Sequence, residues 1–279
     1  MEIVFFYGLN ILVGAVLAIV LGLFGAHVVA RNKTVEIVLL GQGIQVGILI
    51  GYIVTALYND NHDDHGLHFE ILVSVIFTMI LYSIYSFLTR SKGSIKTPVL
   101  ILGYTLLLAT SYLVVAISPL VESHMVKAFL GDIVTASKVE LKIILVFSIA
   151  AFGFFMGKRK TLRSQSFEIS LFDHLQSSEG KWIHYLFNTV VMILMIYSIH
   201  VLGIVFTLCM MILPITLIQF AKSGINGLFY FILICAPLSV FGGFLLNIKY
   251  ENMPTSPLIA LLFLCFGSFF SILSKFKAN

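Results

Sequence analysis

An all-helical bundle crossing a membrane eight or nine times is the fold class this sequence predicts, and three observations predict it. Hydrophobic residues make up 59% of the 279 and charged residues only 11%, with a mean hydropathy of +1.04. That leaves too little polar surface to coat a core facing water. Apolar runs of about 20 residues, the length a helix needs to cross a ~30 Å hydrocarbon layer, recur from one end of the chain to the other. Lys and Arg gather in the short joins between alternate runs, as they do on the cytoplasmic side of membrane proteins.

The runs fall at 3–29, 35–57, 69–88, 99–117, 141–156, 183–202, 203–220, 228–246 and 257–273. The chain therefore reads as one transmembrane domain over 1–279, with no room for a soluble domain between spans. The pair meeting at Gly203 is the least separated, because no charged residue lies at the join. Counting along nine spans, the joins with Arg31 and Lys33, with Arg90, Lys92 and Lys96, with 158–181, with Lys222, and the tail with Lys275 and Lys277 share one face. That face holds 13 of the 17 basic residues. The expected topology has the N-terminus outside and the C-terminus in the cytoplasm. The first run carries Glu2 rather than a basic leader and is long before Arg31, so it reads as a permanent helix and not a signal peptide. Cys209, Cys235 and Cys265 stand singly within apolar runs and read as packing residues.

In the second run Gly43, Gly47 and Gly51 recur every four residues and line one helix face, the spacing that lets helix backbones approach closely in lipid. Gln42 and Gln45 lie beside them, two amides that must face protein or water. They fit either interhelical hydrogen bonding or the lining of a transport path. The outer loop that follows, 59–68, concentrates His62, Asp63, Asp64, His65 and His68. Imidazoles and carboxylates at this density suit weak capture of a divalent cation, although a solvated loop has the same composition. The third and fourth runs read as scaffold without ionisable residues. The stretch 118–142 is too polar for lipid and is expected to lie along the outer face or dip partly inward, with Gly131 ending a helical turn and Asp132 capping the next. Glu122 and His124 there are further candidate cation ligands.

The one long polar run is 158–182. Within it Phe167, Leu171, Phe172 and Leu175, with Asp173 and a terminal Gly180, describe a short amphipathic helix. Such a helix can dock in a groove on a cytosolic partner or lie on the headgroups. In the last third, Pro214 and Pro237 fall within apolar runs and are expected to kink or interrupt them. His200 reads as the outer end of a span. No enzymatic motif appears: Gly153 to Lys158 lacks the spacing and the hydroxyl of a phosphate loop, so ATP hydrolysis is not expected of this chain.

Taken in order, Gly41 with Gly47 and Gly51, the segment Phe129-Leu130-Gly131-Asp132, Phe172-Asp173 followed by Gly180, Leu202-Gly203 and Leu213-Pro214 resemble the motif series of the integral membrane permeases of ABC importers for zinc, manganese and iron. The resemblance covers nearly the whole chain. It implies an all-α permease of the metal- and cobalamin-importer architecture in the cytoplasmic (inner) membrane, working as a homodimer. The segment 158–182 would dock on a separate ABC ATPase, and the outer face would receive a substrate-binding protein. It implies no tightly bound cofactor and no nucleic-acid partner, with a divalent metal ion as cargo. The translocation path would be lined by Gln42, Gln45, Val46 and Asp132. Gln42 and Val46 stand where the family has an acidic residue and a histidine, so the metal is held elsewhere or the subunit is a specialised partner. An ion-coupled carrier or channel, and a non-transporting anchor, are the alternatives from other classes.

Overall fold

The computed structural model describes residues 7–58, 67–89, 96–118, 129–131, 133, 136–172, 180–220, 225–250 and 253–278. They form eight helices and no strand: α1 (Gly8–Ala30), α2 (Thr34–Tyr58), α3 (Leu67–Thr89), α4 (Lys96–Ile117), α5 (Lys138–Phe172), α6 (Lys181–Phe220), α7 (Ile225–Lys249) and α8 (Thr255–Ala278). By length and composition seven of them can cross a membrane, and the described apolar part of α8 is shorter.

The 40 residues of α6 would form a rod of roughly 60 Å, twice the hydrocarbon thickness. The chain does not build that rod. Gly203 is non-helical, with φ 78° and ψ 165°. Ser198 Oγ and Thr207 Oγ1 lie 2.7 Å apart, whereas residues nine apart in a straight helix are separated by about 13.5 Å along the axis. The helix therefore folds sharply at Gly203 into two arms, which is why the sequence shows two spans with no polar join. Pro214 and Pro237, expected to kink or interrupt their spans, interrupt neither helix, and the break falls at Gly203.

α1 is the hub. It is apolar on every side and buries Leu17, Leu21 and Phe24 completely against α5, α6 and α7. Phe24 stacks on Phe187 at 5.4 Å and meets Phe155 at 5.7 Å. α3 and α4 cover α2 and turn Ile80, Phe87, Leu102 and Leu113 outward, the surface expected of helices facing lipid.

The sequence reading ended the fifth span at Met156 and placed a separate short helix beyond it. α5 instead runs unbroken for 35 residues to Phe172. Its polar half remains helical because Phe155, Leu162, Ser166 and Ile169 continue one buried stripe. At ~1.5 Å per residue the helix is about 52 Å long, and it extends well past the membrane core at its C-terminal end.

Candidate functional site

Two groups of polar side chains lie toward the ends of the bundle, and Gln42 and Gln45 lie within it. At the end where α6 bends, Gly131 and Gly203 both have positive φ, 63° and 78°. Their backbones cross so closely that a Cβ on Gly131 would overlap the carbonyl of Leu202, and one on Gly203 would lie 2.5 Å from Gly131 N. Ser256 Oγ donates to the freed Leu202 carbonyl at 2.7 Å, and Asn10 Nδ2 donates to Ile133 O at 2.5 Å. The bend is thus held from three elements.

Next to it, Ser137 and Glu140 form a capping box at the start of α5. Ser137 N donates to Glu140 Oε2 at 2.7 Å and Glu140 N donates to Ser137 Oγ at 3.2 Å. The other carboxylate oxygen, Oε1, lies 3.6 Å from His200 Nε2. His200 is 6% exposed, and its Nδ1 has no hydrogen-bond partner among the described residues. The Tyr52 hydroxyl donates to Glu70, and Tyr52 lies within electrostatic reach of Glu140. Glu70, 7% exposed, is pressed against α2, where a Cβ on Gly51 would lie 2.7 Å from Glu70 Cα. Two carboxylates, a phenol and an imidazole therefore line one end of the bundle.

Sequence reasoning missed this cluster. Glu70 falls in the first turn of the third span, against the expectation of a span free of ionisable groups, and His200, expected only to end a span, lies beside Glu140. The signal available was a carboxylate one residue inside an apolar run. Among the described residues no three His, Cys, Asp or Glu side chains converge closely enough to hold a metal ion. The arrangement can attract and pass a cation, with Glu140 and His200 as adjacent donors, but it does not cage one.

On α2, Gly43 faces Leu81, Gly47 faces Ser74, whose Cα would be 2.8 Å from an added Cβ, and Gly51 faces Glu70. All three lie on the α3 side. Gln42 and Gln45 are buried, and Gln42 Nε2 and both amide atoms of Gln45 lack hydrogen-bond partners among the described residues. Gly41 touches Leu208 and Ile204 of the second α6 arm. At 100° per residue Gln45 shares that face. Val46 is buried with Leu39, Leu100 and Leu107. Asp132, His62, Asp63, Asp64, His65, Glu122 and His124 lie outside the described residues, and of His68 only its place in the first turn of α3 is described.

The opposite end is organised by Arg31, which is 2% exposed. Its Nε donates to Ser166 Oγ at 3.1 Å, its Nη1 lies 3.1 Å from His184 Nδ1, and its guanidinium sits 4.1 Å above the Phe187 ring. His27 Nδ1 lies 2.8 Å from the same Ser166 hydroxyl, and Asn188 Nδ2 is 3.2 Å from His184 Nε2. Burial lowers the Arg31 pKa to about 10, which leaves it a cation at neutral pH. One residue after α1 thereby ties α1, α5 and α6 together. Beside it Gln165 Nε2 donates to Gly180 O at 2.7 Å, tying the α5 extension to the residue before α6.

Of the residues expected to dock a partner, Phe167, Leu171 and Phe172 end α5 and are 68%, 59% and 48% exposed. Gly180 precedes α6, and Asp173 and Leu175 lie outside the described residues. Three large apolar side chains thus stand exposed on the last turns of α5, a set that suits a groove on another protein or the headgroup layer alike.

The described residues thus form a polytopic bundle of membrane-crossing helices, with α5 running from one end to beyond the other. The chain belongs to the ABC 3 transport family, whose profile matches residues 6–274. Its fold is similar to that of PsaBC from Streptococcus pneumoniae in complex with Fab, with a TM-score of 0.75 at 13% identity over 96% of this chain and 90% of that one. No curated protein sequence matches the chain.

Proposed function

We propose that this chain is the membrane-spanning permease of an ABC importer that moves a divalent metal cation inward, powered by a separate cytosolic ATPase. The end bearing Arg31, Lys33 and the α5 extension is cytoplasmic, and the end bearing Gly203 faces outside. The observation that carries the cation reading is the set Glu70, Tyr52, Glu140 and His200 at that outer end, with Glu70 and His200 buried and Tyr52 and Glu140 half-buried. Its two carboxylates favour cations. It supplies anionic and imidazole donors that Gln42 and Val46 do not offer.

α5 connects the two ends. Phe167, Leu171 and Phe172 meet the ATPase in the cytoplasm, and Glu140 occupies the first turn of the same helix. A tilt imposed on the exposed end reaches Glu140 without an intervening hinge and shifts it relative to His200, beside the Gly203 bend. Two permease copies rocked by a closing ATPase pair would then expose the path to alternate sides. A binding protein would deliver the ion at the outer face.

A chain of titratable groups also suits an ion-coupled carrier, so the test is the energy source. In proteoliposomes containing the permease with its ATPase, uptake of manganese or zinc is expected to require ATP inside the cytosolic-face compartment. Uptake driven by a proton or cation gradient without ATP would overturn the importer reading.

A further inference from the structure

At the Arg31 end a cavity of about 840 Å³ opens between α1, α5, the second arm of α6 and the start of α7. Its mouth carries Arg159, Lys160 and Arg163, and its deeper wall is apolar, formed by Leu23, Phe155, Ile215 and Phe229. The Arg159 guanidinium rests 5.1 Å from the centre of the Phe229 ring, which directs its charge over the opening.

We infer that this cavity binds one anionic phospholipid of the cytoplasmic leaflet. The charged mouth falls where α5 leaves its apolar run, at headgroup depth on the proposed sidedness, so the inference rests on that part of the functional reading. Three cations, with the Ser164 and Ser170 hydroxyls also at the lining, match a phosphate headgroup. The wall below them lies within the apolar runs of α1 and α5. An acyl chain reaches that depth, whereas an acidic peptide from the cytosol would have to enter hydrocarbon. A volume of this size admits a headgroup with the upper parts of its chains.

The bound lipid would wedge against the face of α5 that carries Phe155, next to Ser166 and His27 of the polar tie. A lipid seated there sets how far the α5 extension can tilt. Transport would then depend on the anionic lipid content of the membrane.

The full-length permease, purified from nanodiscs of equal phosphatidylglycerol and phosphatidylcholine, is the material for the test, with retained lipid counted by native mass spectrometry. The wild-type chain is expected to retain phosphatidylglycerol in preference. The double variant Arg159→Gln/Arg163→Gln should lose that preference by about fivefold for each cation removed, and Arg159→Lys/Arg163→Lys should keep it. Ala26→Phe, which fills the apolar wall, should reduce retention of both lipids. Equal retention by the wild type and the glutamine variant, or displacement of the lipid by the ATPase on complex formation, would overturn the assignment. The readout needs no transport, so it stands or falls separately from the ATP dependence of uptake.

Discussion

Gly131 and Gly203 meet backbone to backbone, each with a positive φ and each leaving no space for a Cβ on the other. The contact fixes the bend that turns α6 from one long helix into two arms. Alanine at Gly203 or Gly131 adds left-handed strain of about 1–2 kcal/mol and a steric overlap costing about 1–3 kcal/mol. Either variant should lower the thermal midpoint in detergent sharply. Gly153 has nothing within 4 Å of its would-be Cβ, so Gly153→Ala should be neutral or stabilising by up to ~1 kcal/mol. Equal melting of Gly203→Ala and Gly153→Ala would show that the crossing contributes nothing.

The outer cluster makes a kinetic prediction. Glu140→Gln and Glu70→Gln each remove a charge from a low-dielectric site and should reduce metal uptake by roughly tenfold or more. Tyr52→Phe removes only a hydrogen bond, worth about 1–3 kcal/mol to a charged acceptor, and should act more mildly. The measurement is initial uptake rate against metal concentration for correctly assembled protein. Unchanged rates in both glutamine variants would remove the cluster from the path.

Much of this architecture was legible in the hydropathy of the chain, because in lipid every backbone polar group must be satisfied within a helix. Apolar run length therefore locates most spans, and the split at Gly203 could be read even without a polar join. The course of α5 past Lys158 was harder. Its polar composition points to a connection with a short helix, whereas the stripe of Phe155, Leu162, Ser166 and Ile169, at helical spacing, keeps it one helix. The clusters were not legible, since Glu70 and Glu140 are 70 residues apart in sequence and both come within electrostatic reach of Tyr52 on α2. Arg31 looked like one more loop charge, and nothing near it in sequence announces Ser166 or His184.

Arg31 offers a test in which stability and function part. It is a buried cation without a carboxylate partner among the described residues, and its Nη2 has no hydrogen bond there. Its desolvation is therefore incompletely offset. Arg31→Met, similar in length, should leave the thermal midpoint unchanged or raise it while severing the tie between α1, α5 and α6. Uptake per ATP hydrolysed should fall roughly tenfold. A large loss of stability with normal coupling would contradict this role.

Gln165→Leu deletes the donor to Gly180 O and should cost about 1 kcal/mol of stability. Its larger effect should be on coupling, because the α5 extension and the start of α6 are no longer tied. ATP hydrolysis by the complex should continue with less metal moved. Tight coupling in this variant would show that the hydrogen bond only closes a loop.

The central claim, that force enters through the exposed end of α5, is tested most directly by copurification of the ATPase with the permease and with Phe167→Ser/Leu171→Ser. Both side chains are exposed, so the variant should fold and melt like the wild type. The account predicts that the wild-type permease carries the ATPase through size-exclusion chromatography and that the double variant does not. Retention of the ATPase by the variant at wild-type stoichiometry would contradict it.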